Sequence, residues 1–512
     1  MKNNDRVNDK RKIMSNQTFE KQVNSASSNI EVPSFKERAH DALQDKKLQQ
    51  ALSVIPSGFV SKRAKAKAAL PAFSDLSDQA VRIKNHTLAN IEKYLEQFEA
   101  EVQNSGGQLH FAPEPQDALD IINEICSKKD AKFIAKGKTM VGEEIGLTHF
   151  LEEQGYETVE TDLGEYLIQL RGEMPSHIIA PAVHLTRDNI RKDFLNTHKH
   201  LSKDRNLETP ADFVKEARLI LREKFINADV GITGANFLIA ETGSSVIVTN
   251  EGNGDLCQSL PKTHIVIASL EKLVPTLKDT SVLLRLLARS ATGQSISTYT
   301  TFATGPKREE DTSGPEEFHI VLLDNGRSKM LGSEFAEMLR CIRCGACLNH
   351  CPVYQNLGGH AYGTVYPGPM GAVLSPHYFG EKAKDLPFAS SFCGRCNEVC
   401  PMQIPLTKLM RKLREQPLNK RPPFAKATMF LWSQIAKRPK LYNFAMKAGL
   451  PFLSLASKQN WLMSIVPGVK DWQKHRALPE MTSTSFQTAW LKKEMKRKKR
   501  AQKKAKEQNN EQ

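Results

Sequence analysis

Cys341-Ile342-Arg343-Cys344-Gly345-Ala346-Cys347-Leu348-Asn349-His350-Cys351-Pro352 spaces four thiols as C-x2-C-x2-C-x3-C-P, and Cys393-Gly394-Arg395-Cys396-Asn397-Glu398-Val399-Cys400-Pro401 repeats the last three. Seven of the nine cysteines of the chain fall in these two stretches. Three thiolates two residues apart lie on a loop tight enough to wrap one face of an iron–sulfur cubane. The fourth, followed by a proline that ends the turn, points away toward a second cluster. Zinc sites use paired C-x2-C units and do not explain two Cys-Pro endings. A disulfide framework has no role in a chain this long with no sign of an oxidising compartment.

The pattern therefore predicts two [4Fe-4S] clusters in a helical ferredoxin-like module. The crossover rule gives Cys341, Cys344, Cys347 and Cys400 to the first, and Cys351, Cys393 and Cys396 to the second. The second is one thiolate short. Counting back from its Cys-Pro ending puts Ser390 where the missing ligand would stand. Three arrangements remain open for that fourth iron: Ser390 or another side chain, a labile iron exposed to solvent or substrate, or a [3Fe-4S] cluster. Cys126 and Cys257 lie far upstream and read as small buried hydrophobes.

Working outward, 512 residues suffice for two or three domains. The first thirty residues contain no apolar signal core, and no apolar run reaches the roughly 18–20 residues that span a bilayer. The expectation is a cytoplasmic protein. About half of its net charge of +15 sits in the tail from Trp490 to Gln508. Such blocks are usually solvated, with docking to an acidic partner or a peripheral contact with anionic lipid as the other readings. No aromatic strand motif or recognition helix accompanies the charge, so no nucleic-acid partner is expected.

Residues 1–34 read as a disordered segment and 35–107 as helical and basic, with SFKERAHDALQDKKLQQALSVI carrying apolar residues at helical spacing. From 108 to 328 strands and helices alternate, which implies an α/β domain with a mainly parallel sheet. KFIAKGKTM, ETVETD, SHIIAPAVHL, ADVGITGANFLIAET, SSVIVTNEG, KTHIVIASL and FHIVLLDNG are its expected strands. No G-x-G-x-x-G opens a helix, so a flavin or nicotinamide site of that type is not expected. The cluster module follows over 329–416, with NLGGHAYGTVYPGPMGAVLSP between its cysteine groups read as a loop. A helical docking region is expected over 417–489, and the basic tail over 490–512.

These stretches together resemble the lactate utilization protein B family. The resemblance is carried by residues 138–170, PSHIIAPAVH (175–184), residues 222–254, THIVIASLEKLVPTL (263–277), RLLARSATGQ (285–294), GPEEFHIVLLDNGRS (314–328) and the two cysteine groups. It covers about residues 35 to 480 and implies a sheet like that of CoA transferases and sugar-phosphate isomerases. The cluster module resembles that of fumarate reductase and heterodisulfide reductase subunits, with YPGP (Tyr366 to Pro369) shared. It also implies an electron-transfer subunit of a cytoplasmic complex that oxidises L-lactate to pyruvate. The implied partners are a cysteine-rich subunit similar to heterodisulfide reductase and a smaller protein sharing the α/β domain. Ser390 in place of a cysteine is usual in that family.

Two other readings stand beside this one: a catalytic 2-hydroxy-acid oxidoreductase subunit, and a regulatory or nucleic-acid-binding iron–sulfur protein. For the first, a ligand pocket would be sought at Glu241, Thr242, Gly243, Ser244, Asn250 and Glu251, near strand ends where α/β sheets bind ligands. Glu143, Glu144, Asp162 and Glu165 form an acidic cluster; for Glu143 and Glu144 a helix N-terminus is the plainer reading. His149, His177, His184 and His264 read as core or surface residues rather than ligands.

Overall fold

The computed structural model describes residues 33–415, 423–458 and 480–510. Apart from Pro33 and Ser34, the expected disordered segment 1–34 lies outside the described residues, as does part of the expected docking region. The described residues up to 415 form one compact unit and those from 423 onward another.

Ten strands are described: β1 (Gln108–Ala112), β2 (Phe133–Lys136), β3 (Glu157–Glu160), β4 (Val230–Gly234), β5 (Phe237–Ile239), β6 (Ser244–Thr249), β7 (Thr263–Ser269), β8 (Leu273–Val274), β9 (Tyr299–Ala303) and β10 (Glu317–Leu323). Six make a wholly parallel sheet in the order β1-β10-β7-β4-β2-β3. Every residue of β4 and β7 is buried, as strands covered on both faces must be. The chain steps from β2 outward to β3 and then back across to β4. The sheet therefore switches direction between β2 and β4, the position at which open α/β sheets bind ligands.

The other four strands form a second, mixed sheet, β8-β5-β6-β9, which the alternating pattern did not announce. SSVIVTNEG thus pairs antiparallel with β5 and β9 instead of joining the main sheet. SHIIAPAVHL, expected as a strand, is a run of turns. Its backbone donors are taken locally: Ser176 N bonds Pro181 O, and Ile179 N and Ala180 N both bond His177 Nδ1. Pro181 has no donor at all.

The cluster module packs directly on the second sheet. Phe237, Ile239, Val246 and Val274 share one apolar core with Leu283 and Leu286 of the helix Leu277–Ala291 and with Met338, Leu348, Tyr366 and Leu409. The helix Phe73–Ala89 contributes Leu76, Ala80 and Ile83 to the same core. The segment between the cysteine groups is not all loop: Gly368–Phe379 is a helix. It starts with proline in its first turn, where the missing N–H costs nothing. Because it is buried nearly all round, it shows no one-sided periodicity to read.

In the second unit, helices Pro423–Ala436, Pro439–Lys458 and Phe486–Asn510 are described. They expose Phe424, Phe430, Trp432, Phe444, Phe452 and Trp490. No helix among the described residues is long and apolar enough to cross a membrane.

One buried group makes the main sheet sensitive to acid. His264, in β7, bonds Thr233 Oγ1 of β4 through Nε2 at 2.8 Å, and burial pushes its pKa down to about 3. Above pH ~6.5 the ring is neutral folded or unfolded and adds no pH dependence. Below that only the unfolded chain binds the proton, so stability falls as pH drops from ~6.5 toward the folded value, by at most on the order of 1 kcal/mol per unit. His264→Gln is expected to lose less melting temperature than the parent between pH 7 and pH 5, measured by circular dichroism.

Candidate metal centre

The module begins where β10 ends. Short helices Arg327–Leu331 and Ala336–Arg340 lead into Cys341, and the loop turns at Arg343 (φ 58°) and Gly345 (φ 70°). The chain then enters the short helix Ala346–Asn349, and Pro352 starts another immediately after Cys351. The second group is presented by the helix Arg395–Val399, and the helix Leu406–Glu415 closes the module.

Cys341, Cys344, Cys347 and Cys400 all line one small cavity. Its walls are otherwise largely apolar, with Ile178, Ile342, Met370, Met402 and Ile404 among them. The remaining thiols group separately: Cys396 feels the charges of Cys351 and Cys393, and Cys351 that of Cys393. Cys347 interacts with the other three of its group and also with Cys396, so the two groups adjoin. Burial pushes the thiols of Cys344 and Cys396 up to about 12 and that of Cys400 up to about 11. Clustered buried thiols are a poor arrangement for bare side chains and a suitable one for iron, which takes them as thiolates. Cys126 and Cys257 are buried alone, as expected, each pushed up to about 12 by burial.

Cations surround the first cavity. Arg63, Lys84, Lys272, Arg340 and Arg343 are each no more than 8% exposed. Arg63 lies within electrostatic reach of Cys344 and Cys400, Lys84 and Lys272 of Cys341, and Arg340 of Cys400. Burial pushes both lysines down to about 8. Arg63 Nε and Arg340 Nε are buried without a hydrogen-bond partner among the described residues. Two unpartnered donors beside four thiols fit an anionic group at this position. Backbone donors aim the same way, Arg343 N at Cys341 Sγ (3.4 Å) and Ile404 N at Cys400 Sγ (3.5 Å).

A buried ion network ties this loop to the sheet. Arg327, just past β10, bonds Glu144 through Nη1 and Nη2 at 3.0 and 2.8 Å and Glu271 through Nε at 2.8 Å. Glu271 in turn accepts from Arg343 Nη2 at 3.0 Å, and the Tyr366 hydroxyl donates to Glu144 at 2.7 Å. Burial alone would raise the Glu271 carboxyl; Arg327 and Arg343 overcome this and hold it well below the carboxylate range. Glu144, read from sequence as a helix-end charge, is instead part of the seam between sheet and module.

The residues proposed for an α/β pocket are not gathered in one place. Glu241, Thr242 and Gly243 make the turn before β6 and Ser244 is its first residue, while Asn250 and Glu251 follow its far end, about 20 Å of extended chain from Ser244. Glu241 accepts from Leu277 N at the start of a helix, Ser244 bonds Thr242 and Thr304, and Asn250 bonds Gln294 and Thr298. Glu251 accepts from Leu163 N. Glu251 thereby comes within electrostatic reach of Asp162 and Lys138 at the switch point of the sheet, where Glu143, Asp162 and Glu165 of the acidic cluster read from sequence also meet. Lys136, fully buried, bonds Glu160 at 2.6 Å and Glu143 at 2.9 Å, and Lys138 lies 3.5 Å from Glu165. Burial, assisted by Glu143, Glu160 and Asp162 and opposed by Lys138, pushes Glu165 up to about 8. Two lysines at the end of an apolar strand were the available sequence signal for this set.

Of the four histidines, His177 and His264 are buried and His149 is an exposed partner of Glu153. His184 lies with Glu173 and His360 within ligand distance of one another, but Glu173 is already bonded to Arg171 at 3.0 Å.

Comparison with known proteins bears on this geometry. Residues 95–323 match the LUD domain, and residues 337–404 match a 4Fe-4S dicluster domain. Lactate utilization protein B of Bacillus cytotoxicus is 43% identical over 462 residues, 90% of this chain and 96% of its own length. That of Bacillus pumilus is 42% identical over 472 residues, 91% and 98% of the two chains. The chain belongs to the lactate utilization protein B family. The residues that match the 4Fe-4S dicluster domain are the module built here around the two cysteine groups. A DUF162 family protein from Deinococcus radiodurans, 12% identical, aligns with 46% of this chain and 98% of its own at a TM-score of 0.26, too low to carry any argument.

Sequence reading found the thiols and missed what surrounds them, because Arg63 and Lys84 come from helices more than 250 residues upstream of Cys341. Removing Arg327 would leave buried Glu144 without a cation and Glu271 with Arg343 as its remaining guanidinium partner. Arg327→Met is expected to cost about 3–5 kcal/mol, read as a lower denaturant midpoint, and adding Glu144→Leu to recover part of it.

Proposed function

We propose that this protein is the electron-transfer subunit of a cytoplasmic complex that oxidises L-lactate to pyruvate. The observation that carries the reading is the pair of adjoining cysteine groups fused into the core of a LUD domain in a chain of this family. Oxidation of lactate releases two electrons and two protons, and an iron–sulfur cluster accepts electrons one at a time. Cys341, Cys344, Cys347 and Cys400 would hold one [4Fe-4S] cluster, and Cys351, Cys393 and Cys396 would hold the other. The four thiols around one cavity support that crossed assignment. The partners would be a cysteine-rich subunit similar to heterodisulfide reductase and a smaller LUD-domain protein, with exposed aromatic side chains such as Trp432 and Phe444 available for docking.

The chain's own part is to fix the sites and set their electrostatics. Five buried cations at the first site favour the more negative, reduced state, whereas Cys393 of the second site is exposed. That arrangement suits a buried relay leading to a surface exit.

A second reading, with lactate bound on this chain, is favoured by Lys138 and Glu165 at the switch point of the sheet. A carboxyl held protonated up to about pH 8 beside an ammonium can anchor a carboxylate and exchange a proton.

Electron paramagnetic resonance after adding L-lactate separates the two readings. The relay reading expects reduction only when the partner subunits are present. Reduction of the isolated chain, abolished by Glu165→Gln with iron content unchanged, would move the chemistry here. For the wiring, Cys400→Ser is expected to alter the cluster that also depends on Cys341, and Cys351→Ser the one that depends on Cys396. Lys84→Met is expected to lower the midpoint potential of the first cluster and leave the second in place, read by potentiometric titration.

A further inference from the structure

We infer that Ser390 is the fourth protein ligand of the second cluster, binding its unique iron through Oγ. The inference rests on the iron–sulfur reading above and goes beyond it by assigning the position that lacks a cysteine.

The two cysteine loops are conformational copies. In the first, Arg343 has φ 58° and Gly345 has φ 70°, on either side of Cys344. In the second, Phe392 has φ 56° and Gly394 has φ 82°, on either side of Cys393. A positive φ at a residue bearing a side chain is uncommon, and for a bulky one such as phenylalanine it is strained. Its recurrence at the same place in both loops shows that each backbone is held to one shape. Superposing the motifs by this pattern sets Ser390 on Cys341.

The hydrogen bonding repeats as well. Arg343 N donates to Cys341 Sγ at 3.4 Å, and Phe392 N donates to Ser390 Oγ at 3.2 Å, two residues back in both cases. Such backbone donors commonly stabilise a negatively charged ligand atom. Ser390 Oγ thus has the partner that a ligating sulfur has in the other loop.

The loop is also clamped. Arg414, from the closing helix, donates to Ser390 O and to Pro387 O, both at 2.8 Å, and its guanidinium sits over the ring of Phe392 at 4.0 Å. Three contacts from one side chain hold residues 387–392 and offset the strain at Phe392. On binding, the Fe–Oγ bond forms and the hydroxyl proton passes to solvent, as metal coordination lowers the pKa of a bound oxygen.

The test compares full-length Ser390→Ala and Ser390→Cys with the parent, all purified anaerobically, by iron and sulfide content, Mössbauer spectroscopy and electron paramagnetic resonance. The first cluster serves as the internal control for folding. Ser390→Ala is expected to lose one iron per chain and gain the signal of an oxidised three-iron cluster, with the first cluster unchanged. Ser390→Cys is expected to restore four irons while moving the unique iron's Mössbauer parameters toward those of thiolate-bound sites. An unchanged spectrum and iron content in Ser390→Ala would overturn the assignment, as would a three-iron second cluster in the parent. A parent that binds no iron would instead defeat the iron–sulfur reading itself.

Discussion

The seam between the α/β sheet and the cysteine loop depends on one buried guanidinium. Arg327 pairs with both Glu144 and Glu271, and Glu271 passes the connection to Arg343, the second cation of the set, between two cysteines of the first site. Charges buried this deeply are tolerated only when each has a partner in good geometry. The end of β10, the stretch after β7 and the cluster loop are thereby held in a single register. A ferredoxin-like module on a flexible tether would need none of this.

The seam also explains why the first site is so well enclosed. Helix Phe73–Ala89 brings Lys84 across the end of the second sheet, where it donates to Leu273 O at 3.2 Å. Arg63 reaches Val399 O at 2.7 Å from a neighbouring helix. The N-terminal helices are thus structural parts of the metal centre. The second site is finished differently, by an exposed cysteine and an aromatic loop clamped by Arg414. The first site is thus enclosed by cations and the second reaches the surface at Cys393.

Much of this was legible in the chain, for physical reasons. Thiol spacing is local, so both cysteine groups could be read directly. Buried parallel strands such as THIVIAS and FHIVLL carry near-continuous apolar runs, and these marked the main sheet. What was not legible depends on contacts distant in sequence. SSVIVT has the composition of any strand, and only its partners β5 and β9 assign it to a second sheet. SHIIAPAVHL is apolar because Ile178 lines the first cavity, not because it pairs with a strand. The helix Gly368–Phe379 hid behind its glycines and prolines. At the site, Glu144 and Glu165 were noticed as charges, but their partners Arg327 and Lys138 gave them roles no local pattern could convey.

The central claim is that this one chain carries two iron–sulfur clusters. The most direct measurement is iron and acid-labile sulfide per chain in the full-length protein purified without oxygen, together with Mössbauer spectroscopy. The account predicts about eight irons and eight sulfides in two clusters. A folded protein that holds zinc or no metal at these cysteines, or no more than four irons in a single cluster, would contradict it.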